Sequence, residues 1–239
     1  MAAALCERLD GEALARLAVV LDLLASDPAS LSSIRDPADG WRVHVADSLS
    51  GLESITAAAG SEPRIADIGA GAGFPGLVLA VALPRARVDL IESVRRKCEF
   101  MRRALSACGL ENARVVHERS EDWAKSPPPV GGREGYGVVT ARAVGRLSTL
   151  AELASPLLRA SGVLVAWKGR RNPGEEEELA LAAEQLAMSP SEISTAPAYA
   201  GVGNRHLHLI RKVAGTPSGL PRRAGIAKKR PAGSRSGLG

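Results

Sequence analysis

The segment 64–76 places a short apolar stretch directly before a cluster of closely spaced glycines. The apolar stretch, which ends at Ile68, predicts a β-strand, and Gly69, Gly71 and Gly73 predict a tight turn because glycine accepts backbone conformations that other residues avoid. Pro75 follows, and proline is favoured at the first position of a helix. Strand, turn and helix in this order begin a βαβ unit, which restricts the chain to folds built on a parallel sheet.

The rest of the chain continues the alternation of strands and helices. Strands are predicted at 88–91, 113–117, 137–141 and 163–167, with helices at 94–107 and 147–158. A helix at 175–188 and two strands at 191–196 and 206–212 complete the pattern, and the last two strands predict an antiparallel hairpin at the sheet edge. We therefore expect an α/β fold with a mostly parallel seven-stranded sheet and helices on both faces.

The two ends of the chain lie outside this alternation. Helical spacing of apolar residues from Leu5 to Leu24, and a second helix from about Arg42 to Ala59, predict that residues 1–60 form an N-terminal helical extension. Residues 61–213 then form the α/β domain. Residues 214–239 are rich in Gly, Pro and Arg, and we expect a flexible basic tail that does not pack.

Charge and cysteine content limit the class of protein. The formal net charge is +5 and the pI about 9.4, which favours an anionic partner such as a nucleic acid. The apolar run Leu77 to Leu83 is far shorter than the roughly 20 residues that cross a bilayer. Cys6, Cys98 and Cys108 show no paired spacing, so we expect no metal site and reduced, cytoplasmic thiols. We also expect a cytoplasmic protein that is a monomer.

The glycine turn and a downstream carboxylate predict a cofactor site. Gly69, Gly71 and Gly73 let a ligand approach the backbone beyond the carboxyl end of the first strand. Glu92 follows the second strand, where its carboxylate can accept hydrogen bonds from both hydroxyls of an adenosine ribose. Together these features specify an adenosine-containing cofactor.

Two cofactors fit this description. The segment 71–76 satisfies the dinucleotide pattern GxGxxG, which alone is a weak signal. Asp67 places a negative charge beside the turn, which disfavours a pyrophosphate and suits the cationic amino and sulfonium groups of S-adenosylmethionine. We favour S-adenosylmethionine, while an NAD(P)-dependent oxidoreductase, and a turn that only connects strand and helix, stay open as alternatives.

A series of motifs resembles one known family. The motifs are Arg35-Asp36-Pro37, His44-Val45-Ala46-Asp47-Ser48, the glycine turn from Asp67 to Gly76, Thr140-Ala141-Arg142-Ala143 and Trp167-Lys168-Gly169. In this order they resemble the ribosomal RNA small subunit methyltransferase G family, also called GidB, from about Leu14 to the segment 221–225. The chain departs from the family pattern in a longer Pro/Gly-rich insertion at 127–135 and in Val144, where an aromatic residue is common.

The resemblance implies a fold, a reaction and a partner. The fold would be the Rossmann-like class I S-adenosylmethionine methyltransferase fold. The reaction would be N7-methylation of one guanine, position 527, in the 530 loop of 16S rRNA, on the RNA itself, the small ribosomal subunit or its assembly intermediate. A non-catalytic RNA-binding assembly factor with the same fold is a third hypothesis.

The resemblance also implies roles for individual residues. The residues that would contact the cofactor are Gly69, Phe74, Ser120, Glu121 and Arg142. Arg142 could pair with the cofactor carboxylate or donate to guanine O6, or form an ordinary ion pair with a helix glutamate. Lys168 and Arg205 could hold substrate phosphate, with an ordinary solvated charge as the equal alternative.

The reaction that the resemblance implies does not require a catalytic triad. Guanine N7 carries a free lone pair at neutral pH, so positioning next to the methyl donor is enough and no acid or base residue is expected.

Two further features lie near the ends of the chain. His44 and Asp47 lie three residues apart, and we expect a His–Asp hydrogen bond that tethers the N-terminal extension. Residues 221–229 could bind phosphate through fixed cations or only aid solubility.

Overall fold

A computed structural model describes residues 8–28, 31–34, 36–60, 63–142, 145–195 and 205–233, with backbone only at positions 37, 59 and 195. Arg35, Ala143 and Val144 of the motif series lie outside the described residues, as does Cys6. Cys98 and Cys108 are buried free thiols. In the described ranges no helix has the length and apolar character needed to span a membrane.

The sheet confirms the predicted α/β class. Its strands are β1 Arg64–Ile68, β2 Arg87–Ile91, β3 Ala113–Val116, β4 Tyr136–Arg142, β5 Leu158–Lys168, β6 Glu192–Thr195 and β7 His206–Arg211. Their order is β3-β2-β1-β4-β5-β7-β6. The first five strands pair in parallel, and β7 pairs antiparallel with both β5 and β6, as the predicted edge hairpin requires.

Helices cover both faces of the sheet. They are α1 Gly11–Ser26, α2 in three consecutive stretches Pro37–Gly40, Trp41–Ala46 and Asp47–Leu49, α3 Leu52–Ala59, α4 Gly76–Ala82, α5 Arg95–Ala107, α6 Ser120–Trp123, α7 Leu147–Ala154, α8 Pro173–Ala182 and α9 Ile226–Lys229. Alternate residues of β1 separate two apolar cores: Ile65 packs with α1 to α5, and Ala66 and Ile68 pack with α7 and α8. This alternation follows from the twofold side-chain period of a strand.

The N-terminal extension differs in detail from the predicted pair of helices. The second predicted helix, from Arg42 to Ala59, begins earlier, at Pro37, and is interrupted between α2 and α3. Its middle stretch, Trp41–Ala46, is π-helical, a form that often marks a functional position. At Gly51 a Cβ atom would lie 2.2 Å from Cζ2 of Trp167, so the chain passes this indole too closely for a larger residue.

The C-terminal segment corrects one prediction. Residues 214–239 were expected not to pack, yet Leu220 and Ala227 are buried and a short helix, α9, forms within the described part of the segment. Composition misled because the segment is held by polar contacts: Arg222 donates to Glu152, and the N–H of Gly225 donates to Glu121. Only residues 234–239 of this segment lie outside the described ranges.

Candidate functional site

The glycine turn lies at the carboxyl edge of the parallel strands, between β1 and α4. Gly69, Gly71 and Gly73 all have positive φ angles, of 63°, 62° and 92°. A Cβ atom on Gly73 would lie 2.4 Å from Cδ1 of Leu77, whereas on Gly71 it would meet nothing closer than a backbone oxygen at 3.8 Å. Gly73 therefore serves close packing, and Gly71 faces open space in which a ligand can approach the backbone.

Asp67 lies beneath this turn rather than at its surface. Its side-chain oxygens accept hydrogen bonds from Gly76 N–H at 2.9 Å and from Thr140 Oγ1 at 3.0 Å. Burial raises the pKa of Asp67 to about 7, although these two hydrogen bonds act in the opposite direction. With 1% of its surface exposed, Asp67 has almost no room for a ligand, which corrects the prediction that its charge faces the cofactor. It ties β1, β4 and the start of α4 together.

Glu92 lies at the end of β2 and faces the turn. Its Oε2 accepts a hydrogen bond from Gly71 N–H at 3.0 Å, and its Oε1 accepts one from Val94 N–H at 2.9 Å. Lys97 Nζ lies 3.9 Å from Oε2. A carboxylate offers about four acceptor positions, so acceptor capacity remains on both oxygens. Glu92 and the open side of Gly71 therefore fit the ribose hydroxyls of an adenosyl group.

The N-terminal extension forms the rim on one side of the site. The His44 ring stacks on Phe74 with ring centroids 4.6 Å apart and 16° between the planes, and Arg142 Cζ lies 5.7 Å from the Phe74 centroid. Burial, aided by the Arg142 charge, lowers the pKa of His44 to about 4, while Asp47 opposes the shift. His44 is therefore neutral near pH 7. Phe74, predicted to touch the cofactor, is buried under this ring.

Asp47 brings two of the predicted site residues together. Its Oδ2 accepts a hydrogen bond from Arg142 Nη1 at 2.9 Å, and its Oδ1 lies 3.3 Å from Arg205 Nε. Arg142 also donates to Val43 O at 3.1 Å and lies 3.4 Å from His44 Nδ1. Arg142, at the end of β4, therefore tethers the N-terminal extension to the sheet. Because Asp47 is fully buried and shared by two guanidinium groups, this cluster keeps a net positive charge.

Lys168 contacts residues outside this cluster. Its Nζ donates to Gly145 O at 2.9 Å and lies 2.8 Å from Glu175 Oε2. Glu175 belongs to the first turn of α8, so the pair joins the end of β5 to that helix. The sequence left a phosphate ligand and an ordinary solvated charge open for Lys168, whereas in this structure its ammonium group is paired with Glu175.

Ser120 and Glu121 begin α6, after β3. Glu121 is buried and accepts a hydrogen bond from Gly225 N–H at 2.7 Å, while Ser120 Oγ lies 3.3 Å from its other oxygen. Glu121 thus links the carboxyl edge of the sheet to the C-terminal segment. Sequence reasoning missed the role of Gly225, which directly precedes α9 and has a φ of 83°.

Asp47 was expected to tether the N-terminal extension through His44, but its arginine partners, Arg142 and Arg205, were missed. The backbone oxygen of Asp47 accepts a hydrogen bond from Trp167 Nε1 at 2.8 Å, which fixes the residue against β5. The spacing of His44 and Asp47 placed both on one helical face, and only the arginine partners could not be read from it. We call the cluster of Asp47 with Arg142 and Arg205 the clamp of the extension. It joins residues that are far apart in the sequence, since Asp47 and Arg142 are separated by 95 positions.

Comparison with solved structures identifies the fold. The structure resembles a SAM dependent methyltransferase from Aquifex aeolicus, with a TM-score of 0.54, 17% identity, and coverage of 78% of this chain and 99% of that one. It also resembles a predicted O-methyltransferase from Agrobacterium tumefaciens, with a TM-score of 0.55, 24% identity, and coverage of 69% and 81%. The fold is therefore the Rossmann-like class I S-adenosylmethionine methyltransferase fold.

Comparison with curated sequences identifies the family. Proteins named ribosomal RNA small subunit methyltransferase G are similar over most of their length. The one from Symbiobacterium thermophilum is 40% identical over 88% of this chain and 87% of its own. That from Chloroflexus aggregans is 39% identical over 87% and 85%, and that from a Synechococcus strain 37% over 85% and 78%. The family model described as GidB, rRNA small subunit methyltransferase G, matches residues 13–208. This chain belongs to the ribosomal RNA small subunit methyltransferase G (GidB) family.

Proposed function

We propose that this chain is an S-adenosylmethionine-dependent methyltransferase that methylates N7 of one guanine, position 527 in the 530 loop, of 16S rRNA. One observation carries the proposal. At a single edge of the sheet, the Glu92 carboxylate held by Gly71 lies on one side of the turn, and the Arg142–Asp47–Arg205 cluster lies on the other. The first fits an adenosyl group, and the second fits an RNA base and phosphate.

The residues that would hold the cofactor are those at the turn that can still form hydrogen bonds to a ligand. Glu92 would accept the ribose hydroxyls, the backbone at Gly69 and Gly71 would line the cofactor, and Ser120 is half-buried at the end of β3 where an adenine can lie. S-adenosylmethionine supplies a methyl group activated by its sulfonium charge. Asp67 would act from below, by holding the turn in shape.

Arg142 has the donors needed to orient a guanine. It uses three of its five N–H donors on Val43 O, Asp47 Oδ2 and the His44 ring. Arginine usually binds O6 and N7 of guanine together, but N7 must stay free here to attack the methyl group. Arg142 can therefore donate to O6 alone. The same free donors could instead bind the cofactor carboxylate, which an experiment can separate.

No side chain has to remove a proton. The attacking N7 has a lone pair, and in the described part of the chain the titratable groups nearest Phe74 are already committed: His44 is neutral and stacked, and Asp47 is paired. The contribution of the protein is then to bring two reactants into line, which can supply several orders of magnitude in rate. The net positive charge of the Arg142–Asp47–Arg205 cluster would attract the RNA backbone.

The proposal is tested by methyl transfer. Purified protein and S-adenosylmethionine labelled in the methyl group are incubated with small ribosomal subunits, or their RNA, from cells that lack the gene. We expect incorporation of about one methyl group per RNA. Absence of label in every RNA preparation would contradict the proposal, and saturable NAD(P) binding without binding of S-adenosylhomocysteine would favour an oxidoreductase.

Glu92→Gln is the matched variant for the cofactor half of the site. It keeps the shape of the side chain and removes the charge that accepts hydrogen bonds at Gly71 and Val94. We expect S-adenosylhomocysteine to bind about 10- to 100-fold more weakly, since a charge-assisted hydrogen bond contributes roughly 1.5 to 3 kcal/mol. Isothermal titration calorimetry measures the change, and unaltered affinity would remove Glu92 from the pocket.

Arg142→Gln separates its two possible roles. If Arg142 donates to guanine O6, the variant loses methyl transfer while S-adenosylhomocysteine binds as in the wild type. If Arg142 holds the cofactor carboxylate, calorimetry shows a loss of affinity for S-adenosylhomocysteine as well.

A further inference from the structure

The C-terminal arm, residues 220–233, is fixed to the protein by two buried carboxylates. Arg222 donates from Nε and Nη2 to the two oxygens of Glu152 in α7, each at 2.5 Å. The N–H of Gly225 donates to Glu121. Both glutamates are buried, so release of the arm would leave two carboxylates without these partners.

Further contacts hold the arm along its length. The backbone oxygen of Leu220 accepts a hydrogen bond from Arg133 Nη1 at 3.0 Å, and that of Ala227 accepts one from Thr149 Oγ1 at 3.3 Å. Arg222 Nη2 also donates to Arg230 O at 2.7 Å, which closes the arm on itself. The backbone of the arm therefore has a defined position.

The remaining cations of the arm have no protein partner. Arg223, Lys228, Lys229 and Arg230 are exposed, and their side chains make no ion pair or hydrogen bond within the described ranges. No Asp or Glu follows Glu192 in the sequence, so the arm carries no acidic residue of its own. Four charges on a fixed backbone are thus left to face an outside anion.

The middle of the arm, residues 225–227, lies beside the carboxyl edge of the sheet. Glu121 lies in α6, which follows β3, and Thr149 lies in the first half of α7, which follows β4. Parallel strands place their carboxyl ends at one edge, and Glu92 at the end of β2 lies at that same edge. Residues 225–227 of the arm therefore lie at the rim of the site, on the face of the sheet opposite the N-terminal extension, whereas Leu220 reaches Arg133, which precedes β4.

We propose that the C-terminal arm is a preformed RNA-binding surface that holds the phosphate backbone of the substrate beside the site. The proposal rests on the proposed function for the identity of the polyanion. Cations neutralise phosphates without reading sequence, and a backbone that is already ordered does not lose further freedom on binding. Arg222 serves as the anchor, and the four other cations make the contact.

Two matched pairs of substitutions test the arm. Arg223→Gln with Arg230→Gln removes two free arginines from it. Arg85→Gln with Arg87→Gln removes two exposed arginines at the opposite edge of the sheet, where β2 begins, and among the residues that the structure describes these two also lack an ion pair. Net charge changes equally in the two variants, so a general effect of charge cancels.

The measurement is binding to small ribosomal subunits that lack the modification, across a range of salt concentrations. For the arm pair we expect about tenfold weaker binding, and a plot of log affinity against log salt that is shallower by about 1.4 to 1.8, since each phosphate contact contributes about 0.7 to 0.9. The control pair should bind nearly as the wild type does. Affinity for S-adenosylhomocysteine should not change in either pair.

Two results would overturn the inference in distinguishable ways. If the wild-type chain transfers methyl groups and the arm pair binds subunits as tightly as the wild type, or no more weakly than the control pair, the arm is not the RNA surface. If the wild-type chain neither transfers methyl groups nor binds subunits, the proposed function fails and the inference fails with it.

Discussion

The N-terminal extension and the C-terminal arm reach the same edge of the sheet from opposite faces, and they are held there differently. The extension buries apolar side chains such as Leu17, Val45 and Ile55 in the first core, and adds the Asp47–Arg142 pair. The arm buries little more than Leu220 and Ala227, and depends on polar contacts to Glu121 and Glu152. Apolar packing leaves a periodic pattern in a sequence, whereas polar anchoring leaves none.

The largest effect should come from breaking the clamp of the extension. Asp47→Ala leaves Arg142 and Arg205 without their shared carboxylate in a buried site, and we expect the free energy of unfolding to fall by about 3 to 4 kcal/mol. Urea denaturation followed by circular dichroism measures the change. Asp39→Ala, which removes an exposed ion pair with Arg42, is the control and should cost less than about 1 kcal/mol. Equal losses would contradict the clamp.

The glycine turn between the two regions should show the next largest effect. Gly73→Ala must adopt a positive φ and also meets Leu77 at 2.4 Å, so we expect a loss of about 2 to 3 kcal/mol in the free energy of unfolding. Gly71→Ala carries only the cost of its φ, about 1 kcal/mol, because its Cβ enters open space. If Gly71→Ala destabilised the fold as much as Gly73→Ala, the space at Gly71 would not be open to a ligand.

Releasing the arm should cost less than breaking the clamp. Arg222→Gln removes the bidentate pair with Glu152, and since the Arg222 side chain is about one-third exposed, we expect a loss of about 1 to 2 kcal/mol. Trypsin should then cleave faster after the free cations of the arm, as mass spectrometry of the early fragments would show. Arg211→Gln, from an exposed pair with Glu192, should leave the cleavage rate unchanged. An arm no more sensitive than in the wild type would mean that Arg222 is not its anchor.

The loss of stability at acid pH should arise in the N-terminal extension, and it should be the smallest of these effects. The pKa of His44 is about 4 in the folded chain and ordinarily 6.5, so its contribution to stability is complete above pH 6.5 and is lost as the pH falls toward 4. Asp67 has a pKa raised to about 7 and acts in the opposite direction. The folded chain holds the proton of Asp67 more tightly than the unfolded chain does, so this contribution to stability is lost as the pH rises from 3.8 to 7.

A variant is therefore needed to isolate His44 from Asp67. We expect the stability difference between the wild type and His44→Gln to shrink by about 1 to 2 kcal/mol from pH 7 to pH 4.5. Urea denaturation at several pH values gives this difference. A difference that stays constant with pH would show that His44 has no lowered pKa.

The sequence predicted the elements that depend on local pattern. The strand Arg64–Ile68, its glycine turn and the edge hairpin formed as expected, because apolar periodicity and glycine conformation are properties of neighbouring residues. The error at β5 has the same origin. After the buried Leu158, the strand continues through Arg159, Ala160 and Ser161, which are exposed, so the pattern predicted a helix that ends at Leu158, whereas the strand begins there.

The site was predictable only where its residues are close in sequence or at strand ends. Glu92 was placed correctly beside the turn because carboxyl ends of parallel strands meet. The Arg142–Asp47 and Gly225–Glu121 contacts join residues 95 and 104 positions apart, and no local pattern specifies such pairs. The burial of Asp67 and Phe74 depended equally on what packs above them.

The position and chemical form of the methyl group decide whether this site methylates N7 of a single guanine. RNA from the transfer reaction is reduced with borohydride and treated with aniline, which breaks the chain at N7-methylguanine. If this chain methylates N7 of guanine 527, one new break appears, at a single guanine in the 530 loop of 16S rRNA, and none appears with Glu92→Gln at limiting cofactor. Label that is incorporated without such a break, or breaks at many guanines, would contradict it.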